Sequence, residues 1–373
     1  MTRKERLEAV FRGEPVDRVP VKLWNVWPGQ EMLHPAYEPV YRLGVGRTDL
    51  MVGEGSPFDL FCGAHRDRVF HRQEIPTDSP EWVKVVTTID TPEGELRGVY
   101  RKSTCKKPGY EMEYPVKEPD DIKRLLSLPY DPFPFTAEPF RKREEEIGDA
   151  GIVVFGLDHA MYGLQRMIGS ENFALWSIHH RTLIVEAIDI YVGRLLAHVN
   201  LAFDAGLRPA FGWVGPELCI PPLMSPADFG EFVVDVDKKL CDLIHERGGF
   251  VWVHCHGKMG PVIDGFLEMG TDVLNPIEPP PMGDMTLEEA FGVVGDRMGL
   301  EGNIETHDIM TAPKDALAAT IGEAVATGSR RGRRFILCAS SGYMEDPEPS
   351  ETLIENLICY IEEGIRYAEQ CAP

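Results

Sequence analysis

The stretch PAFGWVGPELCIPPLMSPADFGEFVVDVDKKLCDLIHERGGFVWVHCH, residues 209–256, decides the fold. Residues 209–213 and 250–254 are short apolar runs of strand length, bounded by glycine and polar residues. Between them, residues 225–247 open on the cap-like Ser-Pro of LMSPADF and stop at Gly248-Gly249, which mark the start and end of a helix. Strand, helix and strand in that order predict a parallel βαβ unit. Working outward, apolar runs of the same kind occur at 152–155, 272–274, 298–301 and 335–338, and in the first half at 19–24 and 49–52. That makes about eight strands, the number that closes a TIM barrel, so the expected fold is α/β, a (β/α)8 TIM barrel. A doubly wound open sheet would announce a GxGxxG turn after its first strand, and the sequence has none.

Residues from about 55 to 148 break the alternation. VKVVTTIDTPEGELRGVYRKS reads as a β-hairpin about Thr91-Pro92-Glu93-Gly94, and LSLPYDPFPF is rich in proline. The expectation is one barrel domain over residues 1–373, with an inserted, hairpin-containing segment covering its mouth.

Composition bounds the partners. Lys plus Arg number 38 against 60 Asp plus Glu, a formal net charge of −22, which repels phosphate backbones and anionic lipid surfaces. No apolar run reaches membrane-spanning length, and the start MTRKERLEAVFRGEP reads as a charged amphipathic helix with no apolar signal-peptide core. A cytoplasmic protein acting on a small molecule is expected, with neither nucleic acid nor membrane as partner. The eight cysteines form no CxxC pair, so reduced core residues are expected rather than a disulfide framework.

Catalytic residues of a TIM barrel sit at the C-terminal ends of its strands, and the residues following each predicted strand are polar here. They are Asn25 and Trp27, Glu54, Asp158 and His159, Glu217, His254 and His256, Asn275 and Glu278, Glu301 and Asn303, then Cys338 and Ser341. Residues two apart on a strand face the same side, so His254 and His256 converge while Cys255 points away. A catalytic metal needs about three protein ligands, and Glu217, Glu278, Glu301 or Cys338 each stand where a third is expected. Asp158, His159 and Glu217 are candidates for proton transfer. Trp27 and Trp213 would wall an apolar pocket, with Asn275, Asn303 and Ser341 binding substrate or cofactor.

These residues resemble the uroporphyrinogen decarboxylase superfamily, which includes the zinc methyltransferases of corrinoid-dependent methyl transfer. The likeness rests on RKERLEAVFRGEPVDRVPV, GPELCIPPLMSPADF, VHCHGKMGPVIDGFLEMGTDVLNPIEPP, LEGNIE (300–305) and FILCASSGY. It implies a (β/α)8 barrel with its site at the C-terminal mouth. Decarboxylases of the family carry an early arginine-rich motif for substrate carboxylates, and the corresponding VKLWNVWPGQ has no arginine. The methyltransferase branch binds zinc through H-x-C and a distant cysteine, and the zinc lowers the pKa of a thiol that attacks the methyl group on cobalt. His254 matches the first of those ligands and His256 takes the second place. Ser341 stands where the distant cysteine is expected, with Cys338 three residues earlier. The resemblance therefore implies a divalent metal, zinc by preference, on His254 and His256 with Glu278, Glu217 or Cys338. It also implies a corrinoid as methyl carrier and a corrinoid protein as partner. A decarboxylase acting on another carboxylate and a non-catalytic corrinoid-binding barrel are the alternatives.

Overall fold

The computed structural model describes every residue except Lys106, Arg331, Tyr343, Glu345 and Pro373. Its strands are β1 (Leu50–Glu54), β2 (Phe70–Pro76), β3 (Trp82–Thr91), β4 (Gly94–Ser103), β5 (Tyr110–Glu113), β6 (Gly151–Gly156), β7 (Ala210–Val214), β8 (Phe250–His254), β9 (Val273–Ile277), β10 (Gly299–Ile304) and β11 (Phe335–Ala339). Seven of them form one parallel sheet in the order β1-β6-β7-β8-β9-β10-β11, with helices between successive strands. The other four form an antiparallel sheet, β2-β3-β4-β5. Thr91 pairs with Gly94 across the turn, as the hairpin reading expects.

The eighth predicted strand, residues 19–24, is not a strand. It makes one bridge, Val21 with Leu337, in which the Lys22 N–H donates to the Leu337 carbonyl at 2.9 Å and the Leu337 N–H to Pro20 at 2.9 Å. On its other side the Asp49 N–H donates to the Val21 carbonyl at 2.8 Å. Pro20 has no N–H to extend the ladder, and Asn25 turns into the left-handed region at φ 53°, so pairing ends on both sides of the bridge.

The parallel sheet is apolar on both faces, as strands covered by helices must be. Its larger core lies between strands and helices and holds Cys255, Val251 and Val253. A smaller one lies on the opposite face, where Ile152, Val154, Ala210 and Trp252 meet Leu7, Val10 and Phe11 of the helix Arg3–Arg12. Arg6 fastens that helix to buried Asp49 at 2.5 Å, and Asp49 also accepts the Val21 N–H at 2.8 Å.

In the helix Arg181–Asp204, His198 packs against the rings of Phe58, Phe135 and Phe155, and its buried Nε2 has no hydrogen-bond partner among the described residues. Burial depresses its pKa from 6.5 to about 4. Between those values the unfolded chain takes up a proton that the folded chain refuses, so stability is lost as pH falls from about 6.5 towards about 4. The difference corresponds to about 3 kcal/mol. Urea unfolding of wild type at pH 7 and pH 4.5 is expected to show most of that loss, and His198→Leu is expected to remove this part of the acid limb.

Candidate functional site

β8 carries Phe250, Trp252 and His254 on one side by strand alternation, and the chain beyond it brings His256 to the same side. The two imidazole rings lie 4.5 Å apart, centroid to centroid, at 85°. Cys255 is wholly buried among the helices, where burial raises its thiol pKa well above the ordinary value. The H-x-H reading of the side-chain directions therefore holds.

Each imidazole is braced. His254 Nδ1 lies 2.5 Å from Asn275 Oδ1, and the Asn275 Nδ2 donates to Glu301 Oε1 at 2.9 Å. His256 Nδ1 lies 2.9 Å from Glu278 Oε1, while Glu278 Oε2 accepts the Gly257 N–H at 2.8 Å. Gly257 has φ 103°, a backbone conformation that suits glycine and lets its N–H reach the carboxylate. Burial lowers the His254 pKa to about 4, helped by the neighbouring His256, so the ring is neutral at pH 7. For His256 burial also acts downwards, but the Glu278 hydrogen bond and charge prevail and the pKa is raised.

A cavity of about 450 Å³ opens beside His254, walled by Trp24, Trp213 and Trp252 and reaching Ser341 and Gly342. It exists because several positions on this face carry no side chain: Gly53, Gly156 and Gly212 line it. A Cβ added at Gly156 would meet nothing within 4 Å. Gly156→Val is accordingly expected to fold normally and to raise the substrate KM at least about tenfold by filling the cavity, read from saturation curves beside a thermal melt.

The other predicted residues are distributed as follows. Trp213 and Ser341 line the cavity; Asn275 and Glu278 brace the imidazoles. Glu217, in the turn Pro216–Cys219, is within electrostatic reach of His256. Trp27 is not part of the cavity wall; the Arg143 guanidinium lies 5.6 Å from its ring centroid. Asn303 sits half-buried within β10, in register with Cys338. Cys338 itself is wholly buried inside β11. Burial raises its thiol pKa well above normal, with Lys22 acting against and Glu301 reinforcing the effect, and it does not line the cavity.

Asp158 and His159 fall elsewhere, at a second cavity of about 710 Å³ between the four-stranded sheet and the helix Ala160–Ile168. His159 is buried with both nitrogens committed: Nε2 lies 3.0 Å from Asp237, and Nδ1 accepts the Tyr162 N–H at 3.3 Å as the helix cap. Burial, then the nearby Asp59, raises the Asp158 pKa. Arg66, Arg72, Lys102 and Arg166 stand in the same walls.

One residue of the site escaped the sequence reading. Glu305 follows β10, is 9% exposed, and its buried Oε1 has no hydrogen-bond partner among the described residues. Burial and the charge of Glu278 raise its pKa to about 7. β10 runs to Ile304, three residues beyond the predicted end at 301, so Glu305 is the true strand-end carboxylate while Glu301 lies buried within the strand.

These donors can be weighed against a divalent cation. With each Nδ1 turned to a side-chain oxygen, His254 and His256 keep Nε2 for a ligand, which is how metal-bound imidazoles are braced. The unspent Glu305 Oε1 matches a carboxylate ligand in kind. Among the described residues, no three His, Cys, Asp or Glu side chains already stand together as a metal-holding group. The chemistry of the individual donors fits such a cation.

Comparison with known proteins gives four findings. The family model "Uroporphyrinogen decarboxylase (URO-D)" matches residues 106–358. A uroporphyrinogen decarboxylase of Parasynechococcus marenigrum is 24% identical over 250 residues, 63% of this chain and 66% of that protein, so the chain spans just under two thirds of this relative. The methylcobamide:CoM methyltransferase MtaA of Methanosarcina barkeri is 24% identical over 345 residues, 85% of this chain and 87% of its own. Among solved structures, a methyltransferase from Methanosarcina mazei superposes with TM-score 0.62 over 97% of this chain and 99% of that one, at 18% identity, a likeness of fold.

Proposed function

The chain belongs to the uroporphyrinogen decarboxylase family, and from that premise we propose that it is a methyltransferase-like enzyme that moves a methyl group to or from a corrinoid at the His254 cavity. One observation carries the choice within the family. Among the described residues lining that cavity, Lys22 is the one Lys or Arg, and its ammonium is spent on Glu301 at 2.5 Å. A wall of three tryptophans and glycines suits a methyl group, and it offers nothing to the several carboxylates of a uroporphyrinogen. The cavity's volume is that of a small-molecule site, so a corrinoid would present its reactive face there while a partner protein holds the remainder.

A divalent metal, zinc by its liking for imidazole and carboxylate, would be held by His254, His256 and Glu305. When bound it would lower the pKa of an acceptor thiol. The protein's own part is to fix the two imidazoles, keep His254 neutral, and exclude water with Trp24, Trp213 and Trp252. For the architecture we propose that the bridge at Val21 acts as the eighth stave of a (β/α)8 barrel and that residues 55–148 cover its mouth. Among the described residues, no helix is long and apolar enough to cross a membrane.

A second reading, decarboxylation of a different carboxylate, draws on the 710 Å³ cavity. Asp158 there has a raised pKa, as a proton donor needs, and Arg72 and Arg166 stand by for an anion. Product analysis separates the two. Methylated acceptor formed from methylcobalamin, insensitive to Arg166→Ala, supports the first reading; carbon dioxide release that is lost in Arg166→Ala supports the second and sinks the first.

A further inference from the structure

We infer that Lys22, Glu301 and Asn275 are positioning residues that decide which ring nitrogen of His254 carries its proton, so that Nε2 presents a lone pair to the cavity. Glu301 is wholly buried, with Lys22 Nζ at 2.5 Å and Asn275 Nδ2 at 2.9 Å from Oε1, and the Trp252 Nε1 donating to Oε2 at 2.8 Å. A carboxylate paired with an ammonium accepts only, so the Asn275 amide must turn its Nδ2 towards it. That leaves Asn275 Oδ1 facing His254 Nδ1 at 2.5 Å. Oxygen there accepts as well, hence Nδ1 must bear the hydrogen, and a singly protonated ring then has its lone pair on Nε2.

The members come from three neighbouring strands and from the bridge. Lys22 lies at the bridge, Trp252 and His254 on β8, Asn275 on β9 and Glu301 on β10. Lys22 is itself 1% exposed and sits 3.7 Å from the Trp24 ring centroid. The polar chain thus crosses the inner face of the sheet, and its polarity runs one way, from ammonium to imidazole. Glu278, accept-only in the same manner, sets the matching tautomer for His256 at 2.9 Å. The His254 lone pair beside the cavity selects an electrophile or a hydrogen-bond donor as the group bound there.

The inference deepens the role given to His254 above, and it is tested without turnover, so either can fail alone. Ring nitrogen spectra of ¹⁵N-histidine-labelled full-length protein at pH 8, after dialysis against a chelator, report the tautomer, with His254 assigned by its loss in His254→Gln. The expected wild-type result is a protonated Nδ1 and a bare, pyridine-type Nε2. The double variant Lys22→Met/Glu301→Gln removes both charges and supplies a carboxamide. Its oxygen stays with the Trp252 N–H, its NH₂ turns to Asn275, Asn275 reverses, and the His254 proton moves to Nε2. A purely structural ion pair would leave the tautomer as it was. A proton on Nε2 in wild type, or an unchanged tautomer in the folded double variant, overturns the inference. Should the double variant not fold, the wild-type spectrum decides.

Discussion

His254→Ala is expected to lower methyl transfer from methylcobalamin by at least about 10²-fold, and by 10³ to 10⁴ if the metal leaves with the ring. The expectation follows from where the residue stands. It ends β8, lines the cavity, and is held neutral by burial with its Nδ1 tied to Asn275. Alanine removes the lone pair and leaves Asn275 Oδ1 without its partner in a buried place. Cys255→Ala is the matched control, since that side chain is buried in the core on the helix side. It is expected to cost a little stability and no activity. Initial rates for both variants, compared at saturating methylcobalamin, check the pair.

Lys22→Ala is expected to be the most destabilising single change at the site. The Lys22–Glu301 pair is 1% and 0% exposed at the side-chain level, so removing the ammonium leaves a buried carboxylate with neutral partners alone, Trp252, Asn275 and the Cys338 thiol, among the described residues. Breaking a buried pair from one side costs about 3–5 kcal/mol. Lys22→Met/Glu301→Gln, which removes both charges and keeps the volume, is expected to cost far less. Urea or guanidinium denaturation of the three proteins at pH 7 reads the difference. Equal losses in the single and double variants would mean that packing, and not the uncompensated charge, sets the cost.

Much of the sheet was legible because buried parallel strands leave continuous apolar runs between helix stops, and residues 209–256 contain two such runs and the helix joining them. The helix itself is less regular than its sequence suggests. It comprises Pro226–Phe229, a π turn at Gly230–Val234 and Asp235–Glu246, and the helical spacing of apolar residues does not reveal a single extra residue per turn. Residues 19–24 are as apolar as a strand because they are buried, yet Pro20 and the turn at Asn25 leave them a single bridge. Periodicity reports burial, and pairing is a separate matter.

The site was legible in part for the same reason. Alternation brought His254 and His256 together because that follows directly from strand direction, whereas Glu278, one of several strand-end candidates for a third ligand, proves to hold His256 Nδ1. Strand length was the weak point. Ending β10 at 301 promoted Glu301, which is a buried partner of Lys22, and passed over Glu305. Asp158 and His159 do end a strand, but the helix starting at Ala160 carries them towards the four-stranded sheet, a tertiary relation that no local pattern encodes. Cys338 is polar only in name: in β11 it is a small core residue beside an ion pair.

The central claim is that the His254 cavity is a methyl-transfer site, and the absorbance of methylcobalamin incubated with the full-length protein and a small thiol tests it most directly. The predicted result is a steady loss of the methylcobalamin spectrum, with one methyl thioether formed per methyl group lost, that stops when Gly156→Val fills the cavity or His254→Ala removes the ring. A spectrum unchanged by wild-type protein across a panel of thiols, or one that changes equally with both variants, would contradict it.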